Sequence, residues 1–273
     1  MSDPAGQTVR VMTWNIHGSV GRNPRFDLER VVALVQRHEP DIVALQEIDS
    51  RRAREAHVDD PFNVLQEALG NHGIGAKTVT TADGEYGQAL ISRWPMANTE
   101  IHDLSFPERE PRRAICSDIQ TPGGPLRVIA THLGLSFRER HTQTAALLKM
   151  LDNLRTTTVA LGDFNDWLWA GSVRRSLGRV LPGYTRHRTF PSRCPGRSSP
   201  PPERRGAAYS TATCNCRSFA GNGCWQRLPS LSVSDGTDRA RRRNDVDPAK
   251  PHFTQASVYM NLNRVRIVSI RES

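Results

Sequence analysis

The order of apolar and polar positions along the first two thirds of the chain predicts a mixture of strands and helices. The run from Pro40 to Gln46 has an uninterrupted apolar centre, which is typical of a strand buried on both faces. Val159 to Leu161 forms a second run of this kind. Two further stretches, Ile115 to Gln120 and Leu126 to His132, flank the turn sequence at 121–125 and predict a hairpin.

Helical periodicity appears between these strands. Asp27 is a candidate amino-terminal cap, and Pro40 predicts that the helix ends just before it. The apolar face of this first helix includes Val31, Val32, Leu34 and Val35. A second helix is predicted from Phe137 to about Leu154. Its inward positions are predicted to be Ala145, Leu148 and Leu151, and its outward positions Arg138, Arg140 and Lys149.

Polar side chains stand at the carboxyl ends of four predicted strands, where open α/β sheets bind their ligands. They are Trp14-Asn15, Gln46-Glu47, Thr131-His132 and Gly162-Asp163-Phe164-Asn165. Asp163 and Asn165 alternate around Phe164, so period two places both polar groups on one face. Each signal alone has an ordinary explanation, such as a turn residue or a solvated strand end. Together they indicate a phosphate-cleaving metal site.

The donor chemistry of this set selects the metal. Carboxylate and amide oxygens suit hard cations, whereas zinc prefers thiolate or clustered imidazole ligands, which the motifs lack. We therefore expect Mg²⁺ or Mn²⁺.

At these residues the chain resembles the endonuclease/exonuclease/phosphatase superfamily, which includes DNase I, apurinic endonucleases, inositol polyphosphate phosphatases and neutral sphingomyelinases. The similar segments, in family order, are 11–16, 41–47, 89–95, 131–132 and 162–167, with Gln88 where relatives often carry Asn. The resemblance covers roughly residues 9–193 and is closest to small bacterial metal-dependent hydrolases. It implies a DNase I-like α/β fold, a four-layer α/β/β/α sandwich of two packed mixed sheets, with an irregular carboxyl-terminal tail.

The resemblance also implies an activity, the hydrolysis of a phosphate ester by water, and a role for each site residue. Asn15 and Glu47 would hold the metal. The catalytic residues would be His132, a donor to the phosphoryl oxygens, Asp163, which would orient or deprotonate water, and Asn165, which would position the water or phosphate. Arg113, beside Arg112, would contact the substrate phosphate, although paired loop arginines are often simply solvated.

The last part of the family pattern is missing. Relatives end with an Asp on a late strand and then a Ser-Asp-His triplet, and neither is recognisable here. Ser234-Asp235-Gly236 lies at about the expected distance but lacks the His and a surrounding apolar strand, so we interpret it as a coincidence. Loss of one charge-stabilising donor commonly costs about 10² to 10³ in rate. We therefore expect weakened activity.

Composition predicts a boundary between a catalytic domain at 1–193 and a tail at 194–273. The first segment holds 24 Lys and Arg against 22 Asp and Glu, a net charge of +2, and the second holds 13 against 6, a net charge of +7. Four of the five cysteines, Cys194, Cys214, Cys216 and Cys224, also lie in the tail. Low apolar periodicity predicts that most of the tail does not pack.

Three explanations of the tail remain open. It could be a basic arm for nucleic acid or acidic lipid, because clustered arginines bind phosphates. It could be a zinc knuckle, but Cys214-x-Cys216 and Cys224 lack ordinary zinc spacing and a fourth ligand. We favour a reading-frame shift near codon 194, because the family pattern stops in mid-motif. A gene that encodes Ser-Asp-His in no frame would exclude this hypothesis.

The remaining features set only broad expectations. No stretch approaches the roughly 20 apolar residues of a membrane span, and no secretory signal is visible at 1–7, so cytoplasmic residence is the default expectation. No heptad is evident, and a monomer is expected. The substrate is a phosphate ester of unresolved class, and the resemblance to compact bacterial members favours a small or lipid-type phosphodiester. A non-catalytic protein that binds phosphate or nucleic acid through the same scaffold and the basic tail is the alternative.

Overall fold

Two six-stranded sheets contain all the strands of the described residues. The computed structural model describes residues 8–20, 25–57, 59–151, 156–166 and 172–184, and the backbone of 211–212, 256–260 and 265–268. All of these residues fall in one structural unit of the chain.

The strands are β1 (Val9–Asn15), β2 (Ile42–Asp49), β3 (His72–Thr81), β4 (Gly84–Ser92), β5 (Met96–Asp103), β6 (Arg113–Thr121), β7 (Gly124–His132), β8 (Thr157–Asp163), β9 (Gly183–Tyr184), β10 (Thr211–Ala212), β11 (Ala256–Met260) and β12 (Val265–Val268). The helices are α1 (Leu28–His38), α2 (Ser50–Glu55), α3 (Pro61–Leu69), α4 (Phe137–Met150) and α5 (Ser172–Leu177), with a 3₁₀ turn at His17–Ser19. The predicted hairpin is confirmed as β6 and β7, which pair from Ala114 opposite Thr131 to Thr121 opposite Gly124.

The two sheets pack face to face and are covered by helices on their outer faces. The strand orders are β10-β12-β1-β2-β4-β3 and β5-β6-β7-β8-β11-β9. Val11 and Ile42 of the first sheet pack in one cluster with Val128 and Leu161 of the second. The outer face of the first sheet packs on α1 and α3, and that of the second packs on α4 and α5. The predicted four-layer sandwich is confirmed.

Parallel pairing brings the polar strand ends together. β1 runs parallel to β2, with Asn15 opposite Gln46, and β7 runs parallel to β8, with His132 opposite Asp163. The central strands are buried on both faces, as their continuous apolar runs predict. Carboxyl ends of parallel strands share one edge of a sheet, so each sheet presents its polar residues at the same end.

The helix predictions are partly confirmed. The Asp27 side chain caps α1 by accepting from the Arg30 backbone N–H at 2.9 Å, and the helix ends at His38. In contrast, α4 ends at Met150, its Ala145 is exposed, and its Arg140 is buried. The outward prediction for Arg140 is wrong because its guanidinium donates to the carbonyls of Gly134 and Leu135.

The described segments of the tail form short strands, which the prediction of an irregular tail did not include. β12 pairs in parallel with β1, and β11 pairs antiparallel with β8, so both insert beside strands that carry site residues. Backbone pairing explains the difference, since short strands can complete a sheet without a long apolar run. The remainder of 194–273, including Cys194, Cys214, Cys216, Cys224 and 234–236, lies outside the described residues, and the boundary at 193 stays a prediction. No helix within the described ranges is long and apolar enough to cross a membrane.

Candidate active site

Glu47 is aimed by a bulge in the first sheet. Gln46 pairs with Gln88 and Ile48 pairs with Gly87, so Glu47 has no partner on β4. Its backbone is left-handed, with φ of 58°. A bulged residue departs from the alternation of its strand and redirects its side chain, which here carries the carboxylate to the end of β1.

Asp163 is placed by a close approach of two strands in the second sheet. The preceding Gly162 has φ of 151°, and a Cβ built there would lie 1.8 Å from the Thr131 carbonyl oxygen. Only glycine fits this position, because any side chain would collide with β7. Asp163 is fully buried opposite His132 as a result.

One asparagine connects the two sheets. Asn15 Nδ2 donates to Glu47 Oε1 at 2.6 Å and to Asp163 Oδ2 at 3.2 Å. Its Oδ1 accepts from the His17 backbone N–H at 3.1 Å. In this structure the Asn15 oxygen accepts from the His17 backbone and its amide nitrogen bridges the two carboxylates, and the predicted role of Asn15 as a metal ligand stays a prediction.

His132 lies beside both carboxylates without bonding to either directly. Its Nε2 is 3.9 Å from Glu47 Oε1 and 3.9 Å from Asp163 Oδ2. These distances are too long for hydrogen bonds, but one small bridging group such as water can span them. The predicted convergence of His132 with the carboxylates is thus present, and its predicted contact with phosphate stays a prediction.

Asn165 has a structural task in addition to its predicted one. Its Nδ2 donates to the Leu133 carbonyl at 2.7 Å, and its backbone N–H donates to Asp163 Oδ1 at 3.0 Å. Its φ of 49° is left-handed, which asparagine tolerates better than most residues. The amide nitrogen predicted to contact the phosphate is therefore engaged with backbone, and Asn165 positions Asp163 and the segment after β7.

His17 is a site residue that the sequence analysis missed. Its Nδ1 lies 3.3 Å from Glu47 Oε2, and it sits in the 3₁₀ turn just beyond β1. The available signal was its place two residues after Asn15, where a tight turn keeps both side chains at the same strand end.

The neighbours of the two carboxylates separate their pKa values. Burial raises the pKa of Glu47, but the hydrogen bond with His17 and the nearby His132 outweigh it and lower the pKa to about 2. Burial raises the pKa of Asp163 to about 7 despite hydrogen bonds from Asn15 and Asn165. Burial, followed by the charge of Arg112, lowers the pKa of His132 to about 3. Near neutral pH the site holds an ionised Glu47, a titrating Asp163 and a neutral His132, a separation typical of acid–base sites.

Arginines line a cleft next to His132. Arg112, Arg113, Tyr86 and Gln88 line it together with His132. Arg112 is 6% exposed, and its Nη1 donates to Glu110 Oε1 at 2.6 Å. Among the described residues, Arg112 Nε and Gln88 Oε1 have no hydrogen-bond partner, so the cleft retains an unused donor and an unused acceptor. The predicted substrate residue Arg113 is at this cleft, half-buried, but Arg112 is the more buried of the pair.

The donor set fits a magnesium-type ion better than zinc. Within the described ranges, no three His, Cys, Asp or Glu side chains form a metal-binding group. The Glu47 and Asp163 carboxylates still lie close together, because both accept from Asn15 Nδ2. Protein sites for Mg²⁺ commonly use one or two carboxylates and complete the shell with water and substrate phosphate. The Glu47 carboxylate satisfies that requirement.

Comparison with known proteins identifies relatives of this chain. The model of the endonuclease/exonuclease/phosphatase family matches residues 12–226, which is more than half of the chain and extends past residue 193. The uncharacterized protein YbhP of Escherichia coli (strain K12) is 30% identical over 169 residues, covering 58% of this chain and 67% of YbhP.

Two solved structures are also similar. One is an endonuclease/exonuclease/phosphatase from Beutenbergia cavernae, with 23% identity and a TM-score of 0.47 over 59% of this chain and 48% of that chain. The chain thus spans about half the length of that protein. The other is the mannosyl-6-phosphatase Bt3783 of Bacteroides thetaiotaomicron, with 16% identity and a TM-score of 0.48 over 64% of this chain and 72% of that chain.

Proposed function

The chain belongs to the endonuclease/exonuclease/phosphatase family, and from this membership we propose that it is a divalent-metal-dependent phosphodiesterase. Endonucleases, exonucleases and phosphatases all hydrolyse phosphate esters, so the family assigns phosphoester hydrolysis in general. The observation that supports the proposal for this chain is the pair of carboxylates, Glu47 and Asp163, that share one Asn15 amide group beside His132. The choice of a phosphodiester, among phosphate esters in general, is the more specific part of the proposal.

Glu47 is the proposed metal ligand, and water and the substrate phosphate would complete the shell. Its low pKa keeps Glu47 ionised throughout the physiological range. Mg²⁺ or Mn²⁺, when bound, supplies Lewis-acid stabilisation of negative charge on the phosphate. The Asn15 amide nitrogen donates to both carboxylates and so holds them close together.

Asp163 is the proposed proton acceptor for the attacking water. A general base works best with a pKa near the operating pH, and burial brings Asp163 close to that value. Asn15 and the Asn165 backbone bond to its two oxygens and fix its orientation. The acceptor is therefore held in one position before substrate arrives.

His132 and the arginines of the cleft are proposed to stabilise the phosphate. The lowered pKa of His132 keeps its imidazole neutral. A neutral imidazole can donate a hydrogen bond from Nε2 to a phosphoryl oxygen. Arg112, with an unused Nε donor among the described residues, and its neighbour Arg113 supply positive charge on the same side. The absence of a recognisable terminal histidine leaves these groups to carry the stabilisation, so slow turnover is expected.

The proposal is tested by hydrolysis of bis-p-nitrophenyl phosphate with Mg²⁺ or Mn²⁺. We expect slow, chelator-sensitive hydrolysis that falls at least about 10²-fold in Glu47→Gln. A version whose tail carries the family's Asp and Ser-Asp-His ending should be faster. Glu67→Gln, exposed on α3 at the outer face of the first sheet, is a matched control. Hydrolysis that survives Glu47→Gln and chelator, or salt-sensitive phosphate binding without any turnover, would exclude the proposed enzyme.

A further inference from the structure

Gln88 carries a buried acceptor that the described part of the chain does not use. This residue is 2% exposed, lies on β4 and lines the cleft beside His132. Its Nε2 donates to the Arg113 carbonyl at 2.7 Å. A carbonyl oxygen can only accept, so this bond fixes which end of the Gln88 amide is the nitrogen. The other end, Oε1, has no hydrogen-bond partner among the described residues.

Three neighbours of Gln88 have their own donors engaged elsewhere. Gln46 lies directly opposite on β2, and its Nε2 donates to a threonine hydroxyl and to a backbone carbonyl. The hydroxyls of Thr78 and Thr131 each donate to a backbone carbonyl at 3.2 Å. A buried acceptor without a partner is destabilising, so a donor from a bound molecule would relieve Gln88.

Arg112 offers an unused donor in the same cleft. It is also buried, and its Nε has no hydrogen-bond partner among the described residues, while its Nη1 donates to Glu110. The cleft has room for about one water-sized group. The group that fits must therefore be small, and it must donate to Gln88 and accept from Arg112.

A hydroxyl meets both requirements with a single oxygen, because it donates one hydrogen bond and accepts others. A carbonyl or an ionised phosphate oxygen has no proton to give to Gln88 Oε1. An ammonium group has no lone pair to accept from Arg112 Nε, and the charge of Arg112 repels it. We call Gln88 Oε1 and Arg112 Nε together the hydroxyl site.

We propose that Gln88 is a specificity residue that accepts a hydrogen bond from a hydroxyl of the substrate, carried close to its phosphate. The closeness to phosphate rests on the proposed phosphoesterase function, since His132 lines the same cleft and is the proposed phosphate donor. An ester without this hydroxyl buries Gln88 Oε1 unpaired and binds more weakly.

The hydroxyl site is tested by calorimetric binding of sn-glycerol 3-phosphate and propyl phosphate with Mg²⁺ at about pH 8, where both phosphates are dianions. The two esters share a three-carbon chain and differ only in their hydroxyls. Wild type should bind glycerol 3-phosphate at least about tenfold more tightly, and Gln88→Met should reduce this ratio to below about threefold. Thr131→Val is the matched control. It removes the other donor to the Arg113 carbonyl and should keep the wild-type ratio.

Equal binding of the two esters by wild type would overturn the proposal, and it is the result expected if a trapped water joins Gln88 to Arg112. No binding of glycerol 3-phosphate by wild type would overturn it as well. An equal fall of the ratio in Gln88→Met and Thr131→Val would show that Gln88 only anchors the Arg113 carbonyl. If Gln88→Met does not fold, the wild-type ratio alone decides.

The binding measurement needs no turnover, so it separates the hydroxyl site from the proposed enzyme. A retained preference for glycerol 3-phosphate without hydrolysis of bis-p-nitrophenyl phosphate would reject the enzyme and support the hydroxyl site. Metal-dependent hydrolysis without that preference would reject only the hydroxyl site.

Discussion

Burial of Asp163 makes the stability of the protein depend on pH. Its pKa is raised by burial from 3.8 to about 7, so the folded state holds its proton more tightly than the unfolded state does. The stabilising contribution is complete below the unfolded pKa and is lost as pH rises from about 4 to about 7. Above that range the metal-free protein carries a buried carboxylate that opposes folding.

We therefore expect Asp163→Asn to gain stability relative to wild type as pH rises. In chelator, the difference in free energy of unfolding should move in favour of the variant by up to about 4 kcal/mol between about pH 4 and pH 8. Comparing the two proteins at each pH cancels the opposite contribution of His132, whose lowered pKa makes stability rise over the same range. Urea unfolding measures the difference. A constant difference across this range would show that Asp163 ionises normally.

Sequence reasoning at the residue scale found the carboxylates but not their arrangement. Asn15, Glu47 and Asp163 were visible as polar strand ends. The orientation of the Asn15 amide and the participation of His17 were not, because both depend on hydrogen bonds from the turn after β1. The sequence shows which hydrogen-bond donors and acceptors are available. The direction in which each of them points depends on the folded structure.

At the scale of elements, α4 owes its position to buried polar groups. Arg140 is only 3% exposed, and Gln143 is 1% exposed. Both bond to the backbone that follows β7. Apolar periodicity predicted the helix but misjudged its inner face, because it counts arginine and glutamine as outward residues. The bulge at Glu47 was equally invisible, since the strand pattern around it is unbroken.

Arg140→Met should destabilise the protein by about 2 kcal/mol or more, because the carbonyls of Gly134 and Leu135 lose a charged donor. Arg138→Met is the matched control on the same helix. It is exposed, and we expect its effect to stay within about 0.5 kcal/mol. Thermal or urea unfolding measures both. Equal effects of the two substitutions would show that the buried bonds of Arg140 contribute nothing.

At the scale of the whole molecule, both sheets depend on strands from the end of the chain. β12 pairs with β1 and β11 pairs with β8, the strands that carry Asn15 and Asp163. The two-sheet fold was predictable from the alternation of strands and helices. The contribution of 256–268 was not, because short strands that complete a sheet by backbone pairing have a weak sequence signal. The proposed frame shift stays a hypothesis for the gene sequence to test.

Removal of these strands should destabilise the molecule. A chain ending at residue 255 lacks β11 and β12 and leaves β1 and β8 with unpaired backbone groups. We expect its unfolding temperature to fall by more than about 10 °C relative to a chain ending at residue 268, which keeps both strands. Calorimetry measures the difference. If the two chains unfold at the same temperature, these strands make no net contribution.

The shared amide of Asn15 has a consequence for how the active site forms during folding. Asn15 and Asp163 are separated by 148 residues and belong to different sheets. Contacts of such long sequence separation form late, because closing the intervening loop costs chain entropy before any contact offsets it. A partly folded chain, with either sheet complete but undocked, therefore has no assembled candidate site. The proposed activity would appear only with the final docking step, which makes it a kinetic marker for completed folding.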